Sequence, residues 1–174
     1  MSLLQELPLH KQLFKALDKL AFTEATEVQA RAIPAALAGK DVMVSAKTGS
    51  GKTAAFVLPM LDRLLATDAP GSGTRALILL PTRELALQTA KMFAKLARFT
   101  HIKCGLIIGG ESFKYQIATI RKNPEALIGT PGRLVEHIEK GTTDFNDLEL
   151  FVLDEADRML DMGFAEDMQL IAAA

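Results

Sequence analysis

The stretch Ala46-Lys47-Thr48-Gly49-Ser50-Gly51-Lys52-Thr53 decides how this chain is read. An apolar run, Val42-Met43-Val44, precedes it, and a helical pattern follows from near Ala54. Strand, glycine-rich turn and helix, in that order, are what a phosphate-binding loop requires. Successive backbone N–H groups in such a turn face one concavity, and the helix start adds unpaired donors and the positive end of its dipole. Lys52 brings a full charge to the outer phosphates and Thr53 a hydroxyl suited to Mg²⁺. Ala46 stands where the general template has its first glycine, so Gly49 and Gly51 are left to adopt the unusual backbone angles. A plain glycine-rich surface turn would not account for the strand and helix on either side. Lys47, Thr48 and Ser50 complete the cradle, and a nucleotide is the expected ligand.

The 174 residues are 49% hydrophobic, enough for one domain with a buried sheet. Twenty basic residues stand against 21 acidic ones, for a net charge of −1. No global positive field therefore draws nucleic acid, and any such binding has to come from a local patch. The single cysteine, Cys104, excludes an internal disulfide, suits a reducing compartment and reads as a small core residue. The first residues are too charged for a secretory signal, and no apolar run approaches the ~18 residues of a membrane span. A soluble, cytoplasmic monomer is expected.

Working outward from the loop, apolar periodicity alternates in type. Leu9, Leu13, Leu17 and Leu20 recur at helical spacing, with Phe14 beside them. A second helix is expected from Thr26, kinking or ending at Pro34, and the helix after the loop is expected to bend at Pro59. Thr67 to Thr74 reads as a loop. Continuous apolar strands are predicted at Ala76–Leu80, Leu106–Ile108, Ala126–Ile128 and Leu150–Leu153. Between them lie helices with Leu85, Met92, Leu96 and Phe99 on one stripe, then a helix over Ser112–Arg121, then one capped by Thr130 with Pro131 at its first position. Met159, Met162 and Phe164 read as packing, and His137 as a surface residue on the outer side of its helix. Short, fully apolar strands alternating with helices indicate an α/β fold with a mostly parallel sheet and helices on both faces. Ligands of such sheets bind at the carboxyl ends of the strands. Each predicted strand is followed there by a polar motif carrying Gly or Pro, or by the acidic Asp154-Glu155-Ala156-Asp157.

That acidic motif completes the phosphate loop. A carboxylate at a strand end holds Mg²⁺, usually through water, so Asp154 joins Thr53 as a candidate for the metal. Glu155 is placed to orient and deprotonate an attacking water. A solvated acidic helix start is the competing reading.

AKTGSGKT, PTRELA, the pair Gly109-Gly110, TPGR and DEAD occur in that order over nearly the whole chain. Together they resemble the motifs of DEAD-box ATP-dependent RNA helicases, in the first of their two RecA-like lobes. The resemblance implies a RecA-like P-loop NTPase domain over residues 1–174, cut before the family's Ser-Ala-Thr motif, with an adenine-reading region within residues 1–29. The ending MQLIAAA, inside an apparent helix, fits such a cut. FTEATEVQ, Phe22 to Gln29, resembles the adenine-reading motif: Phe22 would stack on the base and Gln29 would pair with its Hoogsteen edge. An amide donates to N7 and accepts from N6 together, which guanine cannot match. Thr26-x-x-Gln29 is also a capping box, and the two roles can coexist. Ala25 stands where the family usually has proline, and Leu4 where it usually has an aromatic residue. Pro81, Thr82, Arg83, Gly110, Thr130 and Arg133 fall in the family's RNA-facing motifs. Helix starts and bidentate arginines suit phosphates, so sequence-independent RNA binding is implied. Asp157 matches the residue that couples the nucleotide site to the later motif. ATP and Mg²⁺ are the implied cofactors, with Lys52, Asp154 and Glu155 as the catalytic set. RNA and a second RecA-like lobe outside this chain are the implied partners, and without that lobe weak hydrolysis is expected. The competing functions are an ATP-dependent RNA clamp or chaperone that does not unwind, and another P-loop enzyme such as a GTPase or a small-molecule kinase.

Overall fold

The computed structural model describes residues 3–39, 51–66 and 73–174. The strand expected at Val42–Val44, the loop residues Ala46 to Ser50 and residues 67–72 lie outside the described residues. The chain divides into two compact units, residues 1–68 with 91–102, and residues 69–90 with 103–174.

In the first unit, α1 (Lys11–Lys19) buries Leu13, Ala16 and Leu17, the stripe read from its sequence. His10 caps it, and its N–H is tied to Asp62 Oδ1 at 2.7 Å, which fixes the start of α1 on α3 (Lys52–Ala66). Helix α2 (Glu27–Leu37) starts after Thr26 as expected but runs on through Pro34. Proline there removes only the bond that its own N–H would have given to the carbonyl of Ala30. Pro34 is exposed, so that carbonyl lies on the side water can serve. Helix α3 likewise continues through Pro59, which is buried with Val57, Leu58, Met60 and Leu61.

Among the described residues, the second unit holds a four-stranded, wholly parallel sheet: β1 (Ala76–Leu79), β2 (Cys104–Ile107), β3 (Ala126–Gly129) and β4 (Leu150–Leu153), in the order β2-β3-β1-β4. The inner strands β1 and β3 are buried at every position, which is why both read as unbroken apolar runs. The outer strand β2 alternates instead, and it begins at Cys104, earlier than expected. Cys104 is only half-buried, yet burial pushes its thiol pKa up to about 11, so it stays a protonated, inert group. The described core joins Leu77, Leu79, Ile107, Ile120, Leu127, Leu134, Phe145, Met159 and Ile171. Burying each large member from water contributes about 1.5–3 kcal/mol.

The helices of this unit are α5 (Phe113–Arg121), α6 (Pro131–Glu139), α7 (Ala156–Asp161) and α8 (Ala165–Ala173). Helix α4 (Arg83–Leu96) begins in this unit and finishes in the other. Its buried stripe is Ala86, Thr89, Phe93 and Leu96, of which only Leu96 was expected: Leu85 and Met92 are half-buried and Phe99 lies beyond the helix end. Ala86 and Phe93 are two turns apart and set the facing direction, which the longer side chains at 85 and 92 had obscured. Met159 is fully buried and Phe164 packs against the core, but Met162 is 47% exposed, at the C-cap of α7 where the chain turns outward.

Candidate nucleotide and RNA site

In the first unit the segment expected to read adenine is tied to Gly51, in the stretch expected to cradle phosphate. Thr26 and Gln29 form the capping box in full: Thr26 Oγ1 accepts from the Gln29 N–H at 3.3 Å and Gln29 Oε1 accepts from the Thr26 N–H at 3.0 Å. The same Gln29 amide donates from Nε2 to the carbonyl of Gly51 at 3.1 Å. Gln29 is 4% exposed, so these bonds hold a buried group. One N–H and one lone pair of the amide remain, the pair an adenine edge needs. A Cβ at Gly51 would lie 2.6 Å from Gln29 Nε2, and φ is +84°, so this position admits glycine alone. Nothing local in the sequence announces this tie across 22 positions. Phe22 is half-buried and held by its N–H to the carbonyl of Leu17, while Leu4, fully buried, donates to the carbonyl of Thr23. Lys52 and Thr53 open α3, both half-buried.

In the second unit the carboxylates follow β4. The Asp154 N–H donates to the carbonyl of Leu79 at 3.0 Å, extending the β1–β4 ladder by one step, and the residue is 8% exposed. Glu155 has φ 58° and ψ 47°, the left-handed conformation, which costs a non-glycine residue about 1–2 kcal/mol. Its Oε2 is buried and makes no hydrogen bond among the described residues; Arg158 Nη1 stands 3.7 Å away. A solvated acidic helix start would show neither feature. Asp157 is exposed in the first turn of α7.

Three further loops of this unit meet. Pro81 is buried, and Thr82 Oγ1 accepts from the Leu85 N–H at 3.2 Å, capping α4. Arg83 donates from Nη2 to Glu111 Oε1 at 2.9 Å and from Nη1 to the carbonyl of Gly109 at 3.4 Å. Gly110 has φ +83°, and a Cβ there would lie 2.3 Å from Arg83 Nη1; the guanidinium occupies the space a side chain would take. Arg133 donates from Nη1 to the carbonyl of Glu111 at 2.8 Å and to Gln116 Oε1 at 3.1 Å. Both arginines therefore spend part of their donor set on the protein, which leaves less than the free bidentate forks expected. Thr130 takes the cap position with Pro131 following, as expected, but its hydroxyl makes no capping bond. Proline supplies no N–H at the first position, and the amides beyond it are left without that cap.

His137 overturns its expected place. It is 0% exposed, on the buried stripe of α6 with Pro131 and Leu134, and its ring stacks on Phe113 at 4.0 Å. Desolvation by burial, then the charge of Arg133, holds its pKa below the ordinary histidine value. Gln116, which no motif flagged, is 1% exposed on the same stripe of α5 as Ile120. Its spacing from that isoleucine was the one sequence signal available for its burial.

Comparison with known proteins decides the family. The sequence model described as DEAD/DEAH box helicase matches residues 26–174. The chain belongs to the DEAD/DEAH box helicase family. Over 168 residues it is 52% identical to a Dictyostelium discoideum protein named "Probable ATP-dependent RNA helicase ddx27", covering 96% of this chain and 22% of that protein. It is 40% identical to the DEAD-box ATP-dependent RNA helicase CshA of Geobacillus kaustophilus, over 98% of this chain and 36% of that one. The crystal structure of a DEAD box protein from Methanococcus jannaschii superposes with a TM-score of 0.88 at 37% identity, over 96% of this chain and 45% of its own. The DEAD-box chain described above thus spans less than half the length of each. No described helix is long and apolar enough to cross a membrane.

Proposed function

We propose that this chain is the ATP-binding lobe of an RNA helicase that couples ATP binding and hydrolysis to sequence-independent RNA binding and local unwinding. The carrying observation is that one edge of one parallel sheet holds both a cationic cluster, Arg83 and Arg133 against Gly109–Glu111, and the strained, buried-oxygen Glu155 beside Asp154. Phe22 and Gln29 read adenine; Ala46 to Thr53 cradle the phosphates; Lys52 neutralises them. Thr53 and Asp154 would hold Mg²⁺, a hydroxyl and a carboxylate being the oxygen donors that ion prefers. When bound, the ion supplies neutralisation of charge on the phosphate oxygens. Glu155 orients the attacking water and takes its proton. Its unserved Oε2 is an acceptor in need of a donor, which supports that role.

Pro81, Thr82, Arg83, Gly110, Thr130 and Arg133 carry the RNA backbone. Apart from Pro81, which has no N–H and serves only to shape the turn, these offer backbone amides, hydroxyls or guanidinium groups that suit phosphate and not base edges. Asp157 couples this edge to the Ser-Ala-Thr motif of the longer protein. Arginines assigned by resemblance to a second lobe are absent from these residues, and an arginine of that kind contributes about 10³–10⁵ in rate. The chain alone therefore binds adenine nucleotide and turns it over slowly. Calorimetric titration with ATP, ADP and GTP tests the nucleotide reading, and a preference for GTP refutes it. RNA-stimulated turnover at helicase-like rates by the chain alone refutes the need for the second lobe.

A further inference from the structure

Arg133 is held from behind by a buried amide. Gln116 donates from Nε2 to the carbonyl of Ile108 at 2.7 Å, and its Oε1 accepts both from Arg133 Nη1 at 3.1 Å and from His137 Nε2 at 3.0 Å. The amide has one orientation only. Reversed, it would set its NH₂ against a guanidinium, which cannot accept, and its oxygen against a carbonyl. That orientation in turn assigns a proton to His137 Nε2; Nδ1 lies 2.7 Å from the Thr142 hydroxyl, which donates its one proton to the His137 carbonyl at 2.9 Å.

The guanidinium is then fixed on three sides. Nη1 spends both hydrogens, on Gln116 and on the carbonyl of Glu111; Nε is buried 3.5 Å from Glu136 Oε1 and makes no hydrogen bond among the described residues; and the Phe113 ring lies 5.6 Å from Cζ. Among the described residues none accepts from Nη2. One NH₂ group is left to present, with its direction determined.

We propose that Gln116, backed by His137, is a positioning residue for RNA: it holds Arg133 so that Nη2 meets a backbone phosphate without losing side-chain freedom on binding. The proposal rests on the RNA reading of Arg133 given above. An arginine ordered only on binding gives up rotamer entropy at that moment, whereas a preset one does not. The network is built for this. Gln116 and His137 are both fully buried, while the group they steer is at the surface-facing end of a 15% exposed side chain.

Binding of a fluorescent oligouridine to the 174-residue chain, followed by anisotropy over a salt series, tests it in a double-mutant cycle of Gln116→Met and Arg133→Ala. Gln116→Met, which keeps volume and removes the acceptor, is expected to weaken binding about five- to tenfold and to flatten the salt slope by up to about 0.7, one phosphate contact. Added to Arg133→Ala it is expected to cost nothing more. A cooperatively folded Gln116→Met that binds as before, or that loses the same factor in both backgrounds, overturns the proposal, the second result marking a merely structural residue. If Arg133→Ala itself binds oligouridine unchanged, the RNA reading of Arg133 fails and takes the proposal with it. Should Gln116→Met not fold, His137→Phe serves in its place, since it preserves the stack on Phe113 and removes the Nε2 donor. A loss of about two- to threefold that vanishes in the Arg133→Ala background is then expected, and an unchanged affinity overturns the proposal.

Discussion

Arg83 Nη2 lies 2.9 Å from Glu111 Oε1, so a cation assigned to RNA is already paired with a carboxylate of the neighbouring loop. Both side chains are about half exposed, 45% and 52%, so the pair is screened and weak. RNA phosphate has to displace Glu111 or share Arg83 with it. Glu111→Gln is therefore expected to tighten oligouridine binding about two- to threefold at low salt, with the gain fading at high salt as screening grows. Anisotropy titrations at two ionic strengths decide it; equal or weaker binding by the variant shows that Glu111 does not compete.

Gln29 caps α2 and, in the function proposed above, also reads adenine. Gln29→Ala loses the reciprocal cap of α2 and is expected to cost about 1 kcal/mol in urea unfolding. Gln29→Glu keeps an acceptor for the Thr26 N–H, as in the other form of the capping box, but has no donor for the Gly51 carbonyl or for adenine N7. Stability is expected to fall for Glu too, since a buried carboxylate oxygen would face the Gly51 carbonyl, and ATP affinity is expected to fall about tenfold or more, further than in Gln29→Ala, by an acceptor set against an acceptor. Unchanged ATP affinity in Gln29→Glu leaves the residue as a cap alone.

Gly129 ends β3 where a Cβ would lie 2.6 Å from the carbonyl oxygen of Ile107 and 2.9 Å from Leu134 Cδ1. The first neighbour is backbone of the adjoining strand and cannot yield. Gly129→Ala is expected to destabilise the chain by about 1–3 kcal/mol, read as a lower urea midpoint with unchanged slope.

His137 makes stability depend on pH in a stated direction. Burial and the charge of Arg133 lower its folded pKa, while the unfolded chain takes up a proton near ~6.5. The unfolded state thus binds more protons in that range. Stability is full above the unfolded value and is lost as pH falls from there toward the folded pKa. Urea midpoints at descending pH are expected to fall below about 6.5 in the unaltered chain and to lose that component in His137→Phe. A profile identical in the two chains would show that His137 does not titrate in this way.

Much of this molecule was legible from residue order. The unbroken apolar runs at β1 and β3 announced a parallel sheet because strands buried on both faces need no polar face; the run at β4 reads the same way although the strand is half-buried, with Leu153 45% exposed. Misreadings arose where a residue's direction depended on distant neighbours. Pro34 was expected to kink or end α2, and α2 does not end there, because one missing bond on an exposed face does not stop a helix. His137 looked like a surface residue because α6 carries charge on either side of it, at Glu136 and Glu139; Phe113 and Gln116 from another helix cover it.

The sequence by itself determined the family, the strands, and the residue types that stand at their ends. These are properties of local order, since a strand, a cap and a glycine-rich turn are specified within a few residues. Tertiary packing alone shows that Arg83 and Arg133 meet at Glu111, that Gln29 holds Gly51, that Glu155 sits in a left-handed backbone with an oxygen that makes no hydrogen bond among the described residues, and that Gln116 accepts from Arg133. The physical reason is common to all four. Hydrogen-bond partners and strain are set by which groups burial forces together, and burial brings together residues that no spacing along the chain relates.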